Sequence, residues 1–186
     1  DCIINDSFSD YTVPFHLTTK EFVEKIYTIL SPQGIYMCNM IDCLQFAKFI
    51  TSMYKTIREV FPYVYVYSTM NEPMVRDAFI LICSKKPIPA EEIKDWVSTK
   101  YGSNGYYIPE EKIKQLLAYN HAPILTDQYA PVENLLAPMV SLTEETPYIR
   151  RLTQIIRQAE KGQTQQAIQE LMNIIQQRPY FNDAYV

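Results

Sequence analysis

Apolar residues gather in short runs, separated by longer amphipathic stretches, over the first part of the chain. Four runs have the length and the β-branched or aromatic character of buried strands, namely residues 2–5, 35–40, 63–68 and 78–83. Amphipathic segments separate the first three runs, whereas the loop between the last two is too short for a crossover helix. The pattern predicts a layered α/β sheet, largely parallel, with an antiparallel hairpin at one edge.

Two amphipathic helices are expected between the first three strands. Thr18 or Thr19 is suited to cap the first helix, and the turn formers at residues 31–34 end it. Asp42 is suited to cap the second helix, which we expect to follow it directly and to end before Pro62.

The pattern changes after the fourth strand. Two short surface helices are expected at residues 90–101 and 109–120, and residues 124–139 are predicted to form an irregular segment that contains prolines. From about residue 146 the composition shifts to Gln, Ile, Leu and Arg. Two further helices are predicted there, at residues 147–160 and 163–177.

The spacing around these last two helices resembles one tetratricopeptide-type repeat that runs into a second. Small and apolar residues follow Gly162 at the intervals of that repeat, at Ala167, Leu171 and Pro179, and Ala184 falls where a second copy would begin. An ordinary helical hairpin packed on the preceding domain fits the same residues. The sequence therefore predicts two domains, residues 1–142 and 143–186, with the α-helical hairpin as a possible docking surface for a protein partner.

Composition narrows the classes of function. Apolar residues make up 47% of the chain and charged residues 20%, which is typical of a globular protein. The net charge is −4, without a run of Lys or Arg, so a nucleic-acid partner is not expected. No apolar stretch reaches the roughly 18 residues of a membrane-spanning helix. We expect a cytoplasmic protein, or the soluble part of a membrane-anchored one.

The four cysteines are expected to be buried free thiols. Cys2, Cys38 and Cys83 lie in strand-like runs, and neither these nor Cys43 forms a CxxC pair or lies in a cluster with histidines. A reducing compartment and the absence of a metal site are therefore favoured over disulfides or bound metal.

Glycine is scarce, and this bears on nucleotide binding. The four glycines, Gly34, Gly102, Gly105 and Gly162, form no G-x-G motif and no Walker loop. A nucleoside held through a glycine-rich turn is therefore not expected to bind to these residues alone. The chain also opens directly in a predicted core strand, so we expect an upstream segment.

Candidate chemistry lies after the first strand. Asp6 follows that strand and Asp10 lies in the loop beyond it, where ligands of open α/β sheets bind. Two carboxylates there suit the binding of an ammonium group or the acceptance of its proton. An aspartate after a buried strand is also common in turns and helix caps, so this pattern alone leaves both interpretations open.

Several ordered motifs carry a resemblance to a known family. Ile3-Ile4-Asn5-Asp6-Ser7-Phe8, followed by Val13-Pro14-x-His16-Leu17-Thr18-Thr19-x-Glu21-Phe22, is similar to spermidine-synthase-like proteins, especially bacterial forms fused to a membrane domain. Later motifs resemble the same family in the same order: Leu30-Ser31-Pro32-x-Gly34-Ile35-Tyr36, Val60-Phe61-Pro62-x-Val64-Tyr65-Val66, Arg76-Asp77-Ala78-Phe79-Ile80-Leu81 and Leu125-Thr126-Asp127-x-Tyr129-Ala130-Pro131-Val132-Glu133. The resemblance covers residues 1–139.

The resemblance implies half of a Rossmann-like sheet of the S-adenosylmethionine methyltransferase type. It also implies transfer of an aminopropyl group from decarboxylated S-adenosylmethionine, as co-substrate of the complete domain, to a polyamine such as putrescine. Asp6 matches the family's catalytic aspartate. Asp10 matches its second aspartate only approximately, because the spacing is one residue longer and no proline follows.

Three further residues are candidates for substrate binding. Tyr11 and Tyr129 are candidates to line a polyamine groove, and His16 to contact substrate. Packing of the tyrosines, and for His16 a bond to the backbone near a helix start, is the more common role of such residues. The resemblance implies that the nucleoside-binding residues of the family would precede Asp1, so no cofactor-binding residue is assigned here and the chain alone is expected to be inactive.

Two other functions remain open. The half-domain could be a non-catalytic interaction module, or a methyltransferase-like enzyme that uses S-adenosylmethionine on another substrate. The first strand is expected to have an open apolar edge, which a homo-oligomer or the missing amino-terminal half would cover.

Overall fold

The computed structural model describes residues 1–7, 13–69, 77–89, 91–93, 95, 105–144, 151, 154–155, 158–159 and 162–177. The chain divides into two compact units, Asp1–Val140 and Ser141–Val186. The first unit holds the sheet and the candidate site, and the second holds a helix and the turn before it.

The first unit is built on a mixed five-stranded sheet. Its strands are β1 (Cys2–Asn5), β2 (Ile35–Asp42), β3 (Tyr63–Ser68), β4 (Asp77–Ser84) and β5 (Tyr106–Ile108). Their spatial order is β1-β2-β4-β3-β5. Each of the four apolar runs in the sequence has become a strand, because each run is long enough to be buried and is bounded by turn residues.

The pairing of these strands differs from the expectation in one respect. Only β1 and β2 run parallel, whereas β2·β4, β3·β4 and β3·β5 are antiparallel, so the prediction of a largely parallel sheet is wrong for the described strands. The antiparallel pairing of β3 with β4 is confirmed. The short strand β5, which was not predicted, lies beyond β3 at that edge.

Five helices are described, together with a short 3-10 turn at Phe15–Leu17. The helices are α1 (Lys20–Ile29), α2 (Lys48–Arg58), α3 (Glu110–Asn120), α4 (Val132–Glu144) and α5 (Thr164–Gln177). Thr19 caps α1 as predicted, since its hydroxyl accepts a hydrogen bond from the backbone N–H of Phe22 at 3.3 Å. The predicted helix at residues 90–101 lies mostly outside the described residues.

Helix α2 begins later than predicted. Asp42 remains in β2, and its carboxylate accepts bonds from the backbone N–H groups of Cys43 at 2.7 Å and Ile50 at 2.8 Å. A turn separates Asp42 from the helix, and Ala47 precedes the helix in the left-handed region with a φ of 48°. Asp42 therefore does satisfy the start of α2, but from the end of the strand and not from the position next to the helix.

Helix α4 occupies the second part of the segment at residues 124–139 that was predicted to be irregular, whereas residues 124–131 contain no helix or strand, as predicted. Val132, Leu136 and Met139 are buried and follow one another at helical spacing, which places them on one side of the helix. Pro138 lies inside the helix and has no N–H to donate. A proline weakens the local signal for a helix, whereas the buried apolar residues favour one here.

Two apolar layers cover the sheet. On one face, Tyr36 stacks on Phe61 with ring centroids 6.0 Å apart, and α2 buries Phe49, Ile50 and Met53 against the strands. The other face carries a cluster of Met37, Tyr67, Ile80, Ile82 and Ile93. Each fully buried side chain of this size contributes about 1.5–3 kcal/mol, so these layers hold the strand ends in fixed positions.

Three of the four cysteines are buried, as predicted, and Cys2 is exposed. The expectation was wrong for Cys2 because β1 is an edge strand, so its first residue is not enclosed by a second neighbour. All four thiols are free.

The second unit contains α5 and the turn that precedes it. Gly162 has a φ of 86°, a left-handed conformation that suits glycine, and Ala167 of α5 packs with Ile155 and Leu171. The tetratricopeptide assignment stays a prediction, because much of the preceding segment lies outside the described residues.

Candidate functional site

Polar residues collect at the end of the sheet where β1, β2 and β3 finish. The last residues of these strands are Asn5, Asp42 and Ser68, and the antiparallel strand β4 begins there with Asp77. Strands β1 to β4 thus present polar side chains at the end of the sheet where α/β proteins bind their ligands.

Asp6 lies directly after β1 and is exposed. The register pairs Asn5 with Cys38, so Asp6 lies beside Asn39 of β2. The side-chain amide Nδ2 of Asn39 donates a hydrogen bond to Oδ1 of Asp6 at 2.8 Å. Oδ2 has no hydrogen-bond partner among the described residues.

A buried polar network supports the strand end beneath Asp6. Asn5 donates from Nδ2 to the Tyr36 hydroxyl at 3.1 Å, and the Ser7 hydroxyl donates to Oδ1 of Asn5 at 2.5 Å. Burial raises the pKa of Tyr36 well above its usual range, and burial raises the pKa of the Cys38 thiol to about 12. Both groups are therefore neutral at physiological pH, and the network orients Asn5 without adding charge next to Asp6.

Two further carboxyl groups at this end of the sheet are buried and bonded to the protein. Burial raises the pKa of Asp42 to about 6, although bonds from the backbone N–H groups of Ile50, Cys43 and Phe49 oppose this. Asp77 accepts bonds from the hydroxyls of Ser68 and Thr69, and burial raises its pKa. Since their oxygens are engaged within the fold, we assign both groups a structural role.

His16 and Tyr129 lie in two segments that meet beside the start of α1. Both residues are exposed, and the His16 ring stands edge-on to that of Phe15 with centroids 5.7 Å apart. Tyr129 closes a turn with Thr126 through paired backbone bonds of 2.9 and 3.0 Å. A cavity of about 230 Å³ is lined by Val13 and Phe15 on one side and by residues 130–134 on the other.

The structure does not join these two residues to Asp6 through any described contact. Asp10 and Tyr11, the other predicted substrate-binding residues, lie outside the described residues. The candidate site therefore consists of two parts: the Asp6–Asn39 pair at the strand ends, and the His16 and Tyr129 segments beside α1.

The part of the chain that the structure describes holds neither a cluster of metal ligands nor a membrane-spanning helix. No group of three or more His, Cys, Asp or Glu side chains able to hold a metal ion is present among these residues. No described helix has the length and apolar character needed to cross a membrane.

Asn39 is the main residue of the site that the sequence analysis missed. The sequence does mark Asn39 as unusual, since it is a polar residue inside the apolar run that forms β2. The role of Asn39 depends on the register between β1 and β2, which places it next to Asp6. The sequence pattern does not specify this register.

Solved structures similar to this chain include two spermidine synthases and a methyltransferase-like protein. The probable spermidine synthase from Corynebacterium glutamicum matches with 24% identity and a TM-score of 0.56, over 70% of this chain and 48% of that one. The spermidine synthase from Thermotoga maritima has 22% identity and a TM-score of 0.39, over 57% and 37% of the two chains. Human methyltransferase-like protein 13 in complex with SAH has 22% identity and a TM-score of 0.39, over 73% and 55%.

The likeness to the Corynebacterium glutamicum protein shows the fold alone. The chain spans about half the length of that structure. No family model matches the chain, and no curated protein matches it. The fold is thus spermidine-synthase-like, an α/β fold with a mixed sheet, which confirms the predicted α/β fold class.

Proposed function

We propose that this chain is the carboxyl-terminal part of an aminopropyltransferase-like catalytic domain, with Asp6 as the residue that accepts the proton of the substrate amine. The observation that carries the proposal is the position of Asp6. It is an exposed carboxylate at the carboxyl end of β1, with one oxygen bonded to Asn39 and the other facing no described partner. The spermidine-synthase-like fold supports the same interpretation.

The proposed reaction transfers an aminopropyl group from decarboxylated S-adenosylmethionine to a polyamine such as putrescine. A primary amine of this kind has a pKa of about 10.4 and is protonated at neutral pH. Asp6 takes one proton, and the freed nitrogen lone pair forms a C–N bond to the aminopropyl carbon. The C–S bond breaks with its electron pair on sulfur, so the positive sulfonium becomes a neutral thioether and the positive charge passes to the new amine.

The remaining candidate residues fit the binding of a cationic substrate. Asp10 supplies a second carboxylate for an ammonium group, and Tyr11 and Tyr129 supply aromatic surface for a methylene chain and its cationic ends. His16 contributes a polar group at the start of α1. Oriented binding of the amine against Asp6 is itself a large part of the catalytic effect.

The nucleoside portion of the donor requires residues outside this sequence. The chain has four glycines and no G-x-G motif, so it lacks the backbone turn that such a ligand uses in Rossmann-like folds. We therefore propose that the 186 residues alone do not catalyse aminopropyl transfer, and that the complete domain does.

Two experiments test the proposal. Calorimetric titration of the isolated chain with decarboxylated S-adenosylmethionine should give no measurable binding. In the complete gene product, Asp6→Asn should lower the rate of aminopropyl transfer to putrescine by about 10²–10⁴-fold, which is the usual contribution of a positioned acid or base. The matched control is Asp127→Asn, which removes another exposed aspartate and should leave the rate within about twofold.

The possible results separate the proposal from its alternatives. Tight binding of decarboxylated S-adenosylmethionine by the isolated chain would overturn the proposal that the nucleoside-binding residues lie outside this sequence. Transfer of a methyl group instead of an aminopropyl group would identify a methyltransferase-like enzyme. Absence of any transfer by the complete protein would favour a non-catalytic interaction module.

A further inference from the structure

A cavity of about 200 Å³ lies between two strands of the sheet and two helices. It is lined by residues of β3 and β5 and by residues of α2 and α3. Strand β4 separates β3 and β5 from β1 and β2 in the sheet, so the cavity lies apart from the Asp6–Asn39 pair. A ligand in this cavity therefore does not depend on the proposed catalytic function.

The two helices contribute polar groups to the cavity at helical spacing. Tyr54 and Arg58 lie four residues apart on α2, whereas Glu110 and Ile113 lie three residues apart on α3. Residues at these intervals share one face of a helix, and all four line the cavity. A hydroxyl, a guanidinium and a carboxylate are thus brought to one cavity by two facing helices.

Tyr54 is buried with its hydroxyl unpaired. The residue is only 6% exposed and lines the cavity, and its hydroxyl makes no hydrogen bond with any described residue. A buried hydroxyl without a partner is unfavourable, so its retention here points to a partner bound in the cavity. Burial raises the pKa of Tyr54, as does the charge of Glu110, whereas Arg58 lowers it. The hydroxyl therefore stays protonated at neutral pH and is able to donate a hydrogen bond.

Arg58 keeps donors available for an anion. Its Nη1 donates to the backbone carbonyl oxygens of Phe61, at 3.4 Å, and Pro62. These bonds hold the guanidinium beside the cavity, while Nε and Nη2 have no hydrogen-bond partner among the described residues. The planar guanidinium fork matches the two oxygens of a carboxylate.

Glu110 supplies the opposite charge from the other helix. Its Oε1 lies 3.2 Å from Nζ of Lys114, in a half-exposed ion pair of small energetic value that a ligand can replace. Although Arg58 and Glu110 line the same cavity, they do not form an ion pair with each other. The space between the two groups is therefore suited to a ligand that carries both a negative and a positive charge.

We propose that this cavity binds a free α-amino acid with an apolar side chain. The carboxylate accepts hydrogen bonds from Arg58 and from the Tyr54 hydroxyl, and the ammonium group binds to Glu110. The side chain packs against the apolar part of the lining, which consists of Val64, Val66, Ile108 and Ile113.

The size of the cavity supports a ligand of this class. A dry apolar cavity of about 150 Å³ holds a benzene molecule, whereas pockets for drug-sized ligands span roughly 300–1,000 Å³. A cavity of about 200 Å³ suits a single amino acid and is too small for a nucleoside or a peptide. A simple amine or a simple carboxylic acid would leave one of the two charged groups without a counter-charge.

Titration of the isotope-labelled 186-residue chain with L-leucine, followed by amide chemical shifts, tests the proposal. The amides of residues 63–66, 107 and 108 should shift, with a dissociation constant on the order of 1 mM. Isopentylamine is leucine without its carboxylate, and isocaproate is leucine without its ammonium group. Each should bind about tenfold more weakly than L-leucine, because it loses one of the two charged contacts.

Two conservative variants test the assigned contacts. Tyr54→Phe and Glu110→Gln should each raise the dissociation constant for L-leucine about tenfold. Glu110→Gln should leave the dissociation constant for isocaproate unchanged, since isocaproate has no ammonium group. The matched control is Glu111→Gln, which removes a neighbouring exposed carboxylate that does not line the cavity and should change the dissociation constant less than about twofold.

Three results would overturn the proposal. The first is the absence of shifts at these amides up to about 50 mM L-leucine. The second is binding of isocaproate as tight as that of L-leucine, and the third is equal weakening by Glu110→Gln and Glu111→Gln, which would reflect net charge alone. If Tyr54→Phe alters the fold, Glu110→Gln decides, because Glu110 is half-exposed on a helix and its replacement disturbs no buried contact.

Discussion

Asn39 and Asp6 are joined by a 2.8 Å hydrogen bond from the Nδ2 of Asn39 to the Oδ1 of Asp6. Asn39 lies within β2, whereas Asp6 is the first residue after β1. The bond therefore ties a carboxylate at the start of a loop to a rigid strand. It fixes which oxygen of Asp6 is engaged by Asn39, and we propose that the other oxygen contacts the substrate amine.

Replacing Asn39 is expected to slow the proposed reaction without unfolding the domain. In the complete gene product, Asn39→Leu should lower kcat for aminopropyl transfer by about tenfold, because a misoriented Asp6 accepts the proton less efficiently. The KM for the sulfonium donor should be unchanged. Steady-state kinetics measure both constants, and thermal unfolding checks the fold.

Asn39→Gln is the matched variant, since it retains the amide on a longer side chain. It should recover part of the lost kcat, which a purely structural defect at residue 39 would not produce. If Asn39→Leu keeps the wild-type kcat, Asn39 does not position Asp6.

The two members of this pair show what the sequence can specify. The position of Asp6 at a strand end was predicted because it is an acidic residue that follows an apolar run, whereas its catalytic role was implied by the family resemblance and stays a prediction. Asn39 was not predicted, because its role requires the parallel register of β1 and β2, which packing over the whole sheet decides. Asp10 and Tyr11 lie outside the described residues, so their roles remain predictions.

Stability should depend on pH through Asp42. Burial raises the pKa of Asp42 from 3.8 to about 6, so the folded state binds this proton more tightly than the unfolded chain. The resulting stability is fully present below about pH 4 and is lost as the pH rises through 6. The shift corresponds to a loss on the order of 3 kcal/mol in the free energy of unfolding. Urea unfolding at pH values from about 4 to 8 measures it.

Asp42→Asn separates this effect from that of other carboxyl groups, including Asp77, whose pKa is also raised by burial. The asparagine oxygen can still accept one bond at the start of α2 but does not ionise. The difference between wild type and variant should therefore change with pH mainly between about 4 and 6. A difference that stays constant across this range would contradict the assignment.

Gly34 is expected to tolerate no side chain. A Cβ at this position would lie 2.6 Å from Cγ of Leu30 and 2.8 Å from Oδ1 of Asp1. Leu30 is buried and has little freedom to move, so Gly34→Ala should lower the free energy of unfolding by about 1–3 kcal/mol. Gly162→Ala is a useful contrast, since a Cβ there meets no atom within 4 Å and only its φ of 86° opposes the change. An unchanged urea midpoint for Gly34→Ala would contradict the expected overlap.

The parts of the fold that escaped prediction share one cause. Strand β5 has three residues, too few to establish a period, and it forms because β3 offers an edge to Tyr106, Tyr107 and Ile108. Helix α4 continues through Pro138 because Val132, Leu136 and Met139 are buried along it. In both cases tertiary contacts override the local sequence signal, whereas β2, β3 and α1 follow from that signal directly.

Ile155 should stabilise the second unit and leave the sheet unaffected. Its side chain is 1% exposed and packs with Ala167 of α5, so Ile155→Ala removes buried apolar volume and should cost about 2–5 kcal/mol within that unit. Amide hydrogen exchange should therefore speed up along α5 while β2 and β4 keep their protection. Ile168→Ala is the control, because Ile168 lies on the same helix but is 51% exposed, and its truncation should change exchange little. Equal acceleration in both variants would mean that the contact between Ile155 and Ala167 does not hold α5 in place.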